Sequence, residues 1–191
     1  QLSAFSAGDT VLLIQMQGVG IQTTQSFYGL NIQSSFGQPG GYDFFLVDRV
    51  ITSTRRVVFT SQILTEYDVT GNVQLVRVPF FNMPVVTGNI PARPWSNTHN
   101  TGGVVAFFAG RKLTLNSDII VSGTGFRGAS GSLGAGICVM DNYTANNHDS
   151  YPVSWTNAGF KGEGVAVHDE FGALLYPNHA KGQGRNLTGG G

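Results

Sequence analysis

The chain has little charge, one cysteine and no long apolar run. Asp, Glu, Lys and Arg make up 12% of its 191 residues, about half the usual quarter. Lys occurs only at 112, 161 and 181, and the 11 basic residues balance 11 acidic ones, for a net charge of zero. Without a long-range field there is nothing to draw in a phosphate backbone or an anionic lipid surface, which excludes a nucleic-acid partner. Cys138 stands alone, so no intramolecular disulfide is available, and its neighbours Ile137 and Val139 mark it as a small buried hydrophobe. No stretch reaches the roughly 20 apolar residues that a helical membrane span requires. With 41% hydrophobic residues the chain is nevertheless apolar enough to bury a core rather than stay disordered.

Neutral polar residues fill the space that charge leaves. Ser, Thr, Asn and Gln exceed a quarter of the sequence, a surface that suits a β-rich extracellular protein. Gln1 is not preceded by a signal peptide's basic region and apolar core, as in an already processed secreted chain. The closing Gly189-Gly190-Gly191 points to a longer parent chain.

Glycine is abundant and unevenly placed, with 9 residues in 1–100 and 18 in 101–191. The first half reads as strands of ordinary length. Thr10 to Gln17 is apolar and β-branched, then alternates Ile14 and Met16 with Gln15 and Gln17, between turn residues Gly8-Asp9 and Gly18. Tyr42–Ile51, Arg56–Thr60 and Val73–Val78 follow, the last stopped by Pro79, which has no N–H to give a ladder. Gln22 to Gly41 reads as a long excursion loop. No window repeats apolar residues at i, i+3, i+4 and i+7, so no helix is expected. Four or five strands with one long early loop suggest an SH3-like barrel over residues 1–83.

Residues 84–191 change to shorter beats. Val85-Val86, Val104–Phe108, Leu113–Leu115 and Ile119–Val121 are brief strand candidates separated by Gly110-Arg111, Asn116-Ser117 and Gly123. Short strands that turn corners at glycines are what a β-solenoid is made of, although no strict period is visible. The expected architecture is therefore all-β: a small barrel-like part, then a short Gly-rich β-solenoid.

Candidate chemistry is sparse. Gly123-Thr124-Gly125-Phe126-Arg127-Gly128 has dinucleotide-loop spacing, but a nucleotide site needs a helix to open there, and Ala129–Gly136 carries three glycines in eight residues. The histidines (99, 148, 168, 179) lack zinc-site spacing. Asp141–Asp149 concentrates oxygens without an EF-hand pattern and reads as an Asx-rich loop, with calcium as the rival. No cofactor, metal or catalytic residue is assigned. A polysaccharide-cleaving enzyme would need paired carboxylates about 5–9.5 Å apart, and Glu163, Asp169 and Glu170 form the one late acidic cluster. Trp95 and Trp155, each near a proline, are the candidate ligand-binding residues. Either could offer a flat face to a sugar or plug the end of a fold.

Phe5–Gly18, Tyr42-Asp43-Phe44, Val73–Pro79, Pro94-Trp95, Gly102–Ala106, Leu113-Thr114-Leu115 and Gly125–Gly128, with the later blocks Lys161–Gly164 and Gly182–Asn186, follow one another along the chain. Together they resemble an N-terminal Gly-rich module of very large surface proteins of gliding Gram-negative bacteria. Only Gly136–Trp155 departs from that pattern. The resemblance implies a secreted, cell-surface adhesin or filament component, often exported by type IX secretion, with no catalytic residues to carry over. The expected function is a non-enzymatic structural or adhesive module. Its partners would be other copies, other surface proteins or surface polysaccharide. A carbohydrate-binding module is the alternative, and a β-helix enzyme a more distant one.

Overall fold

The computed structural model describes residues 5–21, 32–96, 98–128 and 163–165. Within them the chain forms ten strands and two 3-10 turns, with no α-helix, so the fold is all-β. The strands are β1 (Thr10–Gln15), β2 (Val19–Ile21), β3 (Ile32–Ser35), β4 (Tyr42–Ile51), β5 (Arg56–Phe59), β6 (Val73–Arg77), β7 (Phe80–Phe81), β8 (Val85–Val86), β9 (Phe108–Ala109) and β10 (Thr114–Leu115).

A four-stranded antiparallel sheet in the order β5-β4-β1-β6 dominates the first half. Its central strands carry the apolar runs Val11-Leu12-Leu13-Ile14 and Phe44-Phe45-Leu46-Val47, as strand propensity favours. Thr10 lies opposite Leu46 and Ile14 opposite Tyr42 on one side, while Val11 faces Arg77 and Gln15 faces Val73 on the other. Opposed residues share a face. Val11, Phe45 and Val47 therefore converge on one side, joined by Leu13, Leu75, Val57 and Phe59, with Phe45 stacked on Phe59 at 4.6 Å. Each such apolar side chain contributes about 1.5–3 kcal/mol when fully buried. A register shift between Val47 and Arg49 resets the alternation, which is how even-numbered Val50 joins the same core.

Arg55, in the left-handed region at φ 53°, closes the β4–β5 turn by donating its N–H to the Thr52 carbonyl. Among the described residues the sheet is open, with β5 and β6 as edges, so the closure of a barrel is not found there. The expected loop over 22–41 also needs correction, because β3 lies within it and pairs antiparallel with β2. Hydrogen bonding across a hairpin can stabilise polar strands such as Ile32–Ser35 that show no apolar alternation.

Beyond β6 the pairing becomes parallel. Phe80 and Phe81 pair with Phe108 and Ala109, 28 residues further on; Val85 and Val86 pair with Thr114 and Leu115, 29 further on. Backbone bonds extend the ladder: Phe108 N–H donates to the Pro79 carbonyl at 2.9 Å, Gly110 to Phe81 at 2.8 Å and Asn116 to Val86 at 2.9 Å. Parallel neighbours usually require a helical crossover. Here residues 82–107 make the connection without one. The observed strands are shorter than expected from sequence: 104–107 form no strand, although the adjoining Phe108–Ala109 do, and 119–121 form none.

Candidate functional site

The two halves meet through buried glutamines. Gln74, on the face of β6 away from the Val11–Phe45 core, donates from Nε2 to the Gly102 carbonyl at 3.1 Å. Its Oε1 accepts the Gly102 N–H at 2.9 Å. Gly102, at φ 119°, is required here, since a Cβ would run into the Pro94 carbonyl. The next turn begins beside it, where Trp95 N–H donates to the Thr124 carbonyl at 2.9 Å.

Gln15 is fully buried and saturated. Its Nε2 donates to the carbonyls of Gln17 and Phe36, and its Oε1 accepts from the N–H groups of Gln38 and Asp68. Gln17 donates to the Gly164 carbonyl at 2.8 Å and accepts from Asn72 Nδ2. The glutamines that alternate with Ile14 and Met16 are thus inside the protein. A polar side chain tolerates burial when its donors and acceptors are met, and the glycines at 18, 37 and 71 leave the backbone close enough to meet them. Residue spacing alone carries no signal for this arrangement; the clue is the flanking glycine.

The sequence-selected tryptophans separate. Trp95 is 6% exposed, its ring edge-on to Phe126 at 4.9 Å, and its Nε1 has no hydrogen-bond partner among the described residues. It presents no flat face to solvent. Trp155 lies outside the described residues, as do Asp141–Asp149, Asp169, Glu170 and the histidines other than exposed His99. Glu163 is buried against Arg127: its carboxylate accepts from Arg127 Nε at 3.0 Å, while its own N–H donates to the Arg127 carbonyl at 2.9 Å. This carboxylate ties a turn together. The 123–128 glycine motif forms turns, with Gly123 at φ 69°, and Thr124 serves as acceptor for Trp95.

The aromatic surface was not anticipated as a unit. Tyr42 and Phe44 project from β4 on the face opposite the sheet core, edge to face at 5.9 Å, and Phe44 meets Phe108 at 5.0 Å. Phe108 in turn stands in register with Phe80, which is 64% exposed. A groove of about 480 Å³ lies beside this line, walled by Phe44, Val105, Phe107, Ile119 and Val121. Another, of about 510 Å³, is walled mainly by Phe81, Pro84, Val86, Ile90 and Phe107. Among the described residues neither wall holds a titratable side chain, and both present mainly apolar groups.

Among the described residues no group of three His, Cys, Asp or Glu could hold a metal ion, and no helix is long and apolar enough to cross a membrane. No protein-family model matches this chain, and no match was found among curated proteins or solved structures.

Proposed function

We propose that the chain is a non-enzymatic structural and adhesive module of a large extracellular surface protein, built as a β-sheet head from which a short β-solenoid grows. The observation that carries this reading is the parallel stacking of β9 on β7 and β10 on β8 at a separation of 28 to 29 residues, without intervening helices. A coil of that kind repeats by stacking on its predecessor, and its last rung can join another coil or another chain. The exposed line of Tyr42, Phe44, Phe80 and Phe108 adds an apolar surface suited to association, and zero net charge removes repulsion between copies.

The test is sedimentation velocity and bead-attachment measurement on the chain and on Phe80→Glu and Phe108→Glu variants. Self-association and attachment that rise with concentration, and fall in both variants without loss of the β-type circular dichroism, support the module. A chain that stays monomeric at every concentration and coats no surface sinks it. Surface labelling of intact source cells tests the extracellular location separately.

A further inference from the structure

Two apolar features of the chain lie on opposite sides of its sheet. The first is a tip. Thr60-Ser61-Gln62-Ile63-Leu64-Thr65 leaves β5 as six uncharged residues in irregular backbone, and within it Ile63 and Leu64 are 47% and 87% exposed. One exposed leucine is ordinary on a protein surface, but two adjacent large aliphatic side chains in a stretch without charge form a patch. The second is a hollow, the groove of about 480 Å³ walled by Phe44, Val105, Phe107, Ile119 and Val121. Phe44, Ile119 and Val121 remain open to solvent.

The sheet separates tip from hollow. Thr65 Oγ1 and Tyr67 Oη both donate to the Asp43 carboxylate, Tyr67 at 2.7 Å, which ties the connection to the side of β4 that carries Asp43, Phe45 and Val47. Phe45 and Val47 belong to the core on that side. Phe44 projects from the other side, because successive strand residues alternate. Leu64 and the groove of one chain therefore face away from each other.

We propose that the groove receives Ile63-Leu64 of a second copy of this chain, joining copies head to tail. Both surfaces are apolar and uncharged among the described residues, so the contact takes no charge out of water, and the zero net charge sets no repulsion between copies. The tip and the groove are different surfaces, so the contact is heterologous. Each added copy leaves a free tip at one end and a free groove at the other, which is the geometry of an open filament rather than a closed dimer. Two side chains make a small contact beside the roughly 1,000 Å² expected of a stable interface, so association is weak in pairs and depends on concentration. The inference rests on the reading of the chain as an assembling surface module and names the contact for it.

The test is sedimentation velocity on the full chain with Leu64→Asp at the tip and Val121→Asp at the groove wall, each alone and then mixed. The proposal expects large species from the parent chain, and monomers from either variant at concentrations where the parent assembles. An equimolar mixture of the two variants should give one-to-one pairs and nothing larger, because one intact tip and one intact groove remain. Assembly of Leu64→Asp at the parent's level overturns the contact, as does a mixture that stays monomeric while both variants keep their β-type circular dichroism. A photo-reactive benzophenone side chain at position 64, in chain mixed with an isotope-labelled copy, removes dependence on the folding of a groove variant. Cross-links from one copy to peptides holding Phe107 or Val121 of the other are expected, and cross-links confined to one chain or to other peptides overturn the contact. If Phe80→Glu and Phe108→Glu abolish association while Leu64→Asp does not, the module reading stands and the tip-in-groove contact fails. If the parent chain stays monomeric at every concentration and coats no surface, both fall.

Discussion

Gln74 and Gly102 form a two-point hydrogen-bonded pair, the side-chain amide taking the place of a neighbouring strand's backbone for a glycine 28 residues away. It joins the antiparallel sheet to the parallel rungs at a point where both groups are buried.

Replacing Gln74 by Leu leaves the Gly102 N–H and carbonyl buried and unpaired. Each such group costs about 1–3 kcal/mol, so urea denaturation should show a loss of about 2–4 kcal/mol. Gly102→Ala should lose about 3 kcal/mol or more, since its φ of 119° disfavours any Cβ and the Pro94 carbonyl blocks one. An unchanged midpoint for Gln74→Leu would show that the pair is dispensable.

Stability should decline at both extremes of pH through one cluster. The Thr65 hydroxyl and then Tyr67 Oη donate to Asp43, holding its carboxyl below the ordinary 3.8, and Thr70 does the same for Asp68. A depressed carboxyl stabilises the fold above its ordinary pKa, and that contribution disappears as pH falls from about 4 through the folded value. Burial, followed by the bond to Asp43, pushes Tyr67 up to about 12 from 10.0, a contribution complete below pH 10.0 and lost as pH rises through about 12. Tyr67→Phe should remove the alkaline transition and shift the acid one upward. Denaturation midpoints from pH 2 to 12, with ultraviolet titration of tyrosinate, check both signs.

Glu163 anchors the segment 163–165 on Arg127, while Gln17 and the N–H of Gly18 hold Gly164 and Val165. Glu163→Leu removes a buried carboxylate from a guanidinium that is itself one-third exposed, and should cost about 2 kcal/mol, less than a fully buried pair. Limited proteolysis should then cut near 163 faster than in the parent chain. Equal cutting rates would deny the anchor its role.

With Trp155→Phe, the remaining indole reports on Trp95 alone. A buried ring packed on Phe126 should emit at short wavelength and resist acrylamide quenching. Addition of oligosaccharides should leave that emission unchanged. A saturable shift on titration with sugar would revive Trp95 as a binding residue.

Much of the first half was legible because its strands are local and their apolar residues alternate. Tyr42–Ile51 is a strand over the span read from sequence, and Pro79 ends β6 for the reason proline ends strands. The hairpin partner β3 was not legible, since Ile32–Ser35 is polar and lies in a Gly-, Ser- and Gln-rich stretch. Ile119–Val121 shows the reverse failure: a β-branched triplet that forms no strand, since none of the described strands pairs with it and a strand needs a neighbour to complete its bonds.

Glycine content, scarce charge and lack of helical periodicity determined by themselves that this chain would be built from strands and turns. Local propensity and turn geometry act over a few residues, and composition records them. Which strands would stack, the 28 to 29 residue separation between them, the burial of Gln15, Gln17 and Gln74, and the interior place of Trp95 were decided by tertiary structure alone. A parallel rung joins residues far apart in sequence, and a buried glutamine is tolerated only where distant backbone groups arrive to meet it. Neither condition leaves a local pattern to read.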